Sequence, residues 1–394
     1  MKAIILAAGE GSRLRPLTQT TPKPCLKIFG KSILEHNIDS LAKFVDEFII
    51  VVKYKKEKVI ETLGNNYNGV KISYFEQGDI IGTAGAIKGL ETQVSGDFLL
   101  LNGDSIFDYS DLEKIANFSS YGCLVQEVED PSKYGIFKQD NSGLALEIIE
   151  KPENFVGNLA NLGVYKFNDK IFDYIDKISI SLRGELEITD AINIFVKNFP
   201  FHLIKIEKEF IDVGYPWDIL TANSYFLDKL IKTSVEGEIE EGVTIKGKII
   251  LGKGSILKAG TYIEGNVYIG KNSIIGPNAY IRGNTVIGNN CKIGNACELK
   301  NSSLGDGSHI AHLSYIGDSI IGNNVNIAGG FIGANLRHDK ANIKVMVKGK
   351  LVDSGLRKLG IIIGDNVKTG INTSSYPGRI INADTFTNPG EIIK

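Results

Sequence analysis

Chemistry-bearing residues crowd into the first two dozen positions. An apolar run from Ala3 to Ala8 enters a loop carrying Gly9 and Gly11. Arg13 and Arg15 follow, and Lys23 sits between Pro22 and Pro24. A strand that ends in a glycine-bearing turn exposes backbone N–H groups. Such groups bind anionic oxygens, and flanking arginines add bidentate phosphate contacts. The glycine spacing is not that of a dinucleotide-binding turn, and no P-loop Lys-Ser/Thr pair is present. Gly-Glu-Gly alone would be a tight turn; the whole segment reads as a site for a polyphosphate nucleotide. Asn102-Gly103-Asp104 follows the apolar run Phe98–Leu101, and Asp212 follows Phe210-Ile211. A carboxylate at a strand's carboxyl end can hold Mg2+, although a lone aspartate there is more often a turn former.

A second group lies far downstream. Arg282 and Lys300 are eighteen residues apart, and His312, Tyr315, Asn326 and Asn335 follow. Histidine is the side chain whose ordinary pKa suits a general base at neutral pH. Two cations about 5 Å apart would repel by roughly 3 kcal/mol at an effective dielectric near 20, a cost that a bound phosphate would turn into a gain.

Different elements must position the two groups. Up to about residue 230 short apolar runs (Phe48–Val52, Val70–Phe75, Phe98–Leu101) alternate with amphipathic stretches (Ile33–Phe44, Lys55–Leu63). This rhythm predicts a largely parallel sheet covered by helices, with ligands beyond the strand carboxyl ends. Residues 216–232 read as a linker helix. From Ile245 the pattern changes: Ile245, Leu251, Leu257, Ile263, Ile269, Ile275, Ile281, Ile287, Ile293 and Leu299 recur every six residues. That period is the signature of a parallel β-helix, in which three hexapeptides make one coil. Eighteen residues therefore stack Lys300 on Arg282. The register slips by one at Leu304 and again at Ile321. A basic excursion from Ala334 to Gly360 reads as a protruding loop, and the rhythm after Asn372 is weak.

Composition bounds the rest. The chain has 394 residues, 43% of them hydrophobic, with 44 basic and 46 acidic side chains and a net charge of −2. Such a chain makes two or three domains and carries no basic surplus for a nucleic acid or membrane surface. Cys25, Cys123, Cys291 and Cys297 show no metal-ligand pattern. Reduced thiols, no secretory leader and no membrane-spanning run lead us to expect a cytoplasmic protein.

The string from Leu6 through Gly9, Gly11, Arg13 and Thr18 to Pro22-Lys23-Pro24 resembles the signature of sugar-1-phosphate nucleotidyltransferases. The resemblance covers about the first 230 residues, with motifs in order. It implies Mg2+-dependent transfer of a nucleotidyl group from UTP or dTTP to a sugar-1-phosphate, releasing pyrophosphate. By it, Leu6, Ala8, Gly9 and Gly11 contact the nucleotide, Gln77, Gly82 and Thr83 its base, and Arg13 and Lys23 are catalytic. Gly135, Glu150, Lys151 and Asn161 would bind the sugar and its phosphate, Asp104 and Asp212 the metal, and Asp190 would be structural. The downstream set is similar to the acetyltransferase site of bifunctional N-acetylglucosamine-1-phosphate uridylyltransferases. There His312 would be the base acting on glucosamine-1-phosphate with acetyl-CoA as co-substrate. Arg282, Lys300, Tyr315, Asn326 and Asn335 would bind the substrate. Phe331 departs from the bacterial pattern, Lys344 is a guess for a cofactor phosphate contact, and the long basic loop resembles archaeal relatives more than bacterial ones.

The expectation is an α/β chain. Residues 1–230 form a Rossmann-like nucleotidyltransferase domain with a mixed, mainly parallel sheet, and 236–394 a left-handed parallel β-helix of hexapeptide repeats, assembled as a homotrimer. The alternative is a monofunctional glucose-1-phosphate thymidylyl- or uridylyltransferase with a structural β-helix. More distant is a non-catalytic regulatory subunit of the same fold.

Overall fold

The computed structural model describes residues 1–181 and 183–394, which form two compact units. One comprises Met1–Glu10 and Ile33–Asp212; the other comprises Gly11–Ser32 and Val213–Lys394.

The first unit is a Rossmann-like α/β layer structure on a mixed sheet. Strand Lys2–Leu6 lies at its centre, parallel to Glu47–Val52 on one side and to Asp97–Asn102 on the other; Val70–Glu76 continues the parallel part. Apolar runs such as Phe48–Val52 are buried throughout, as strands covered on both faces must be. Leu159–Asn168 then pairs antiparallel with Asp97–Asn102 and carries a flank of antiparallel strands, Gly135–Gln139 and Ala145–Glu150. Helices Ile33–Leu41 and Lys56–Leu63 occupy the amphipathic stretches. Helix Tyr109–Asn117 starts where the Asp108 carboxylate accepts the Ser110 N–H at 2.9 Å, satisfying an N-terminal donor.

In the second unit, helix Asp218–Tyr225 runs into a wider turn, Phe226–Leu230, and leads to a left-handed β-helix. Its short strands stack into three parallel sheets. Successive coils pair Ile263 with Ile281 and Ile281 with Leu299, eighteen residues apart; Leu299 then pairs with Ile316, one residue short. Every member of the six-residue series from Leu251 to Leu299 is buried along the axis, together with Cys291 and Cys297. Phe331 is fully buried in the same core, so this bulky departure fills the interior of a coil. The excursion is a hairpin, Lys344–Val347 against Lys350–Asp353, after which Ile362 rejoins the stack beside Ile320. The weak tail also continues it: Ser374–Ser375, Ile380–Ile381 and Ile392–Ile393 pair with preceding coils. No helix among the described residues is long and apolar enough to cross a membrane.

Candidate active sites

At the carboxyl end of the central strand the chain is held tightly up to Ala8 and then released. The Ala7 N–H donates to Val51 O at 2.8 Å, and Ala8 O accepts the Tyr54 N–H. A Cβ on Gly9 would meet nothing within 4 Å. The Gly103 N–H donates to Leu6 O at 2.9 Å, and a Cβ there would come 2.5 Å from that oxygen. Only glycine allows this approach, which sets Asp104 beside the strand end. Asp212 sits in a two-stranded ribbon, opposite Ser105, the residue after Asp104. Phe107 and Phe210 stack at 5.9 Å beneath the ribbon, and the Asp111 carboxylate accepts the N–H groups of Glu207 and Lys208.

In the second unit, the rest of the signature segment is folded upon itself. Gly11 is left-handed (φ 64°), and a Cβ there would come 2.8 Å from Lys23 Cβ. The Thr18 hydroxyl donates to Gly11 O at 2.9 Å, and the Leu14 N–H reaches the same carbonyl. Lys23 is buried, whereas Arg13 is exposed, with its guanidinium 5.4 Å from the Tyr215 ring centroid. Tyr215 stacks in turn on Trp217.

The residues matched to base and sugar divide by environment. Gln77 bonds the Ile80 carbonyl. Gly82 (φ 111°) lies where a Cβ would come 2.4 Å from Leu186 O, and the Thr83 hydroxyl accepts the Ile188 N–H at 2.9 Å. Both therefore also dock the Thr83–Ile87 helix. Gly135 faces Glu150 across a strand pair; a Cβ there would come 2.9 Å from Glu150 Oε2. Burial pushes the Glu150 carboxyl above its ordinary range against the pull of Arg183 and Lys151. Asn161 accepts the Gly163 N–H at 3.0 Å and donates to Tyr165 Oη at 2.7 Å, at an irregularity of strand Leu159–Asn168. Asp190 is raised by burial and by Glu187.

On the β-helix, Arg282 and Lys300 are direct rung partners, as their spacing predicted. Their repulsion is met by carboxylates that the sequence reading did not single out. Arg282 Nε lies 2.7 Å from Glu298 Oε1, and Lys300 Nζ lies 2.9 Å from Asp318 Oδ2. Asp318 also accepts from Asn301 and Asn335, and Asn335 reaches Tyr315 Oη at 3.1 Å. Burial, followed by the charges of Asp318 and Glu298, raises the Tyr315 phenol. Lys300, Tyr315 and Asn335 thus share one network centred on Asp318, while Arg282 is paired separately with Glu298. His312 and Asn326, both exposed, belong to strands of the adjacent sheet, and Asn326 pairs with His309. One signal could have found Asp318: it follows Lys300 by the same eighteen residues that link Lys300 to Arg282.

Among the described residues no three of His, Cys, Asp and Glu gather to hold a metal. A site for Mg2+ needs no full protein cage, because one or two carboxylates suffice when phosphates and water complete the shell, and Asp104 and Asp212 are carboxylates that fit that requirement.

A family described as nucleotidyl transferase matches residues 2–229, and one described as GMPPB C-terminal domain matches 263–369. The bifunctional protein GlmU of Methanocaldococcus jannaschii is 48% identical over 96% of this chain and 91% of its own length. A bifunctional sugar-1-phosphate nucleotidylyltransferase/acetyltransferase of Sulfurisphaera tokodaii is 42% identical over 100% of this chain and 97% of its own. Among solved structures, a putative glucose-1-phosphate thymidylyltransferase from Bacillus anthracis, in complex with a sucrose, covers 59% of this chain and 97% of its own, with TM-score 0.52 and 30% identity.

Proposed function

The chain belongs to the nucleotidyl transferase family, among its bifunctional nucleotidyltransferase/acetyltransferase members, and from that premise we propose that it makes a nucleotide sugar in two consecutive steps. Residues 236–394 would acetylate glucosamine-1-phosphate, and residues 1–230 would join the product to UTP, with dTTP as the other candidate. The observation that carries the reading is the end of the central strand. Supporting it are open space at Gly9, the Gly103 approach to Leu6 and the ribbon that pairs Asp212 with Ser105, next to Asp104, at the kind of strand end where nucleotides bind such sheets.

In nucleotidyl transfer, a sugar-phosphate oxygen attacks the α-phosphorus of the nucleotide. The bond to the β-phosphate breaks, and pyrophosphate leaves. The nucleophile is already anionic, so the protein's task is charge neutralisation and alignment. Asp104 and Asp212 would hold Mg2+, which when bound supplies charge neutralisation at the phosphates. Gly9 and Gly11 would let backbone amides approach the phosphates, with Leu6 and Ala8 beside the nucleotide. Arg13 would hold the pyrophosphate portion, and Lys23 the charge that develops at the α-phosphate. Gln77, Gly82 and Thr83 would shape the base subsite, and Gly135, Glu150, Lys151 and Asn161 the sugar subsite.

In acetyl transfer, His312 would take a proton from the 2-amino group as its nitrogen attacks the thioester carbonyl. The carbon–sulfur bond breaks, and CoA leaves as the thiol. Arg282 and Lys300 would bind the sugar phosphate; Tyr315, Asn326 and Asn335 would orient the sugar. Since His312 and Asn326 lie on a different sheet from the Asp318 network, we propose a homotrimer that completes each site across subunits. The four buried free thiols suit a reducing cytoplasm.

One mixture tests the proposal: glucosamine-1-phosphate, acetyl-CoA, UTP and Mg2+, assayed for the acetylated nucleotide sugar and for CoA release. His312→Ala should block both while leaving uridylylation of supplied N-acetylglucosamine-1-phosphate intact. Uridylylation without CoA release by the unsubstituted protein would instead support a structural β-helix.

A further inference from the structure

One corner of the β-helix carries a ladder of side-chain oxygens. In successive coils a glycine is followed by a short polar residue: Gly288-Asn289, Gly305-Asp306, Gly322-Asn323 and Gly364-Asp365. The Asn289 N–H donates to Asp306 Oδ1 at 2.9 Å, the Asp306 N–H to Asn323 Oδ1 at 2.9 Å, and the Asn323 N–H to Asp365 Oδ1 at 2.7 Å. The glycines make room: a Cβ on Gly288 or Gly322 would come 2.5 or 2.4 Å from the oxygen above it.

A rung needs one acceptor oxygen, which asparagine supplies as well as aspartate. At the two aspartate rungs the second oxygen is spent on the signature segment. Lys27 Nζ reaches Asp306 Oδ2 at 2.6 Å, while the Thr20 and Thr21 hydroxyls donate to Asp365 Oδ2 at 2.6 and 3.1 Å. At the same corner of the next coil, Ala383 N–H finds its acceptor in Gln19 Oε1 at 2.8 Å, and Gln19 Nε2 donates to Asn382 Oδ1. The segment thus completes the ladder. Gln19, Thr20 and Thr21 fall between Thr18, which braces Gly11, and Lys23, and Lys27 lies just beyond.

We propose that Asp365 is a positioning residue for nucleotidyl transfer: by clasping Thr20 and Thr21, it fixes the Gly11–Lys23 loop in its phosphate-binding shape. The inference rests on the reading that Arg13 and Lys23 bind the nucleotide. A loop held in its bound form does not lose freedom on binding, whereas a released loop must be ordered by the nucleotide itself. The last coils of the β-helix therefore serve the first domain's reaction as well as their own.

The test uses the full chain and three variants: T20V/T21V, which removes the hydroxyls; T20S/T21S, which keeps them; and Asp365→Ala. KM for UTP and kcat of nucleotidyl transfer are read beside CoA release and amide hydrogen exchange over residues 11–26. We expect T20V/T21V and Asp365→Ala to raise KM for UTP about tenfold, an ordering cost of the kind an unclasped loop incurs. kcat should change far less, loop exchange should quicken, and T20S/T21S should match the unsubstituted enzyme. CoA release by the threonine variants should stay within about twofold, since their coils are untouched. KM in T20V/T21V unchanged within twofold, or equal losses in the serine and valine pairs, would overturn the clasp while leaving the functional reading standing. An unsubstituted chain unable to form a nucleotide sugar would overturn both.

Discussion

Replacing Gly103 by alanine tests whether the strand end aims Asp104. The added Cβ would lie 2.5 Å from Leu6 O and 3.1 Å from Ile5 Cγ2, a shortfall of about 0.9 Å against the 3.4 Å at which ordinary contact begins. Leu6 cannot retreat cheaply, because strand Lys2–Leu6 is paired on both sides. The displacement therefore falls on residue 103 and on Asp104, its neighbour. Mg2+ tolerates little change from about 2.0–2.1 Å to its ligands, and an error of about 1 Å in reacting geometry costs on the order of 100-fold. The expected kcat is about 100-fold lower. Overpacking should cost a further ~1–3 kcal/mol, roughly 2–12 °C in Tm for a unit of this size. Pyrophosphate release from UTP and N-acetylglucosamine-1-phosphate is the assay, and CoA release by the same chain measures how much of it is folded. Gly9→Ala is the companion: its Cβ meets no protein atom within 4 Å, so Tm should hold while KM for UTP rises. A kcat for Gly103→Ala within threefold of the unsubstituted enzyme would refute the reasoning.

Asp318→Ala leaves the buried Lys300 ammonium without its carboxylate (side-chain exposures 13% and 9%), and such losses cost about 3–5 kcal/mol. Thermal unfolding should show it more damaging than Lys300→Met, with the double variant less affected than the sum; additive losses would contradict the pairing. Burial opposes the charge of Glu47, but hydrogen bonds from Lys71, Ser73 and Lys2 outweigh it and lower the carboxyl to about 2 from 4.5. Its contribution, up to about 3 kcal/mol before screening of the exposed Lys71, is present above pH 4.5 and lost as pH falls towards 2. Glu47→Gln should therefore be destabilising in urea titrations at pH 7, with most but not all of that effect gone by pH 2.5. All four cysteines are buried, and burial pushes Cys291 up to about 12 and Cys123 higher still. An aromatic disulfide reagent at pH 8 should find no reactive thiol in the native protein and four in guanidinium.

Much of the architecture was readable because it repeats. A six-residue period leaves one arrangement in which Leu251 through Leu299 are all buried, and that arrangement makes Arg282 and Lys300 neighbours. The strand runs were equally plain: Phe48–Val52 lies within Glu47–Val52. Glu298 and Asp318 were missed because acids on a polar face look solvated until the cation opposite each is known. The tail after Asn372 looked irregular because its coils bury small residues such as Ser375 as well as isoleucine. Least legible was the allegiance of Gly11–Ser32. Its partners Asp306 and Asp365 stand 279 and 345 positions beyond Lys27 and Thr20, and nothing local marks such distant pairs.

That separation has a bearing on the order in which the enzyme comes into being. Gly11–Ser32 leaves the ribosome hundreds of residues before its anchors. At about 5–20 residues per second, the 345 positions between Thr20 and Asp365 represent roughly 17–70 s of synthesis. Throughout that interval the strand leading to Gly9, Lys2–Leu6, can pair with Glu47–Val52, while the threonines have nothing to clasp. A nascent chain halted before Asp365 should therefore bind nucleotide poorly, and gain that binding once the coil bearing Asp365 has been made.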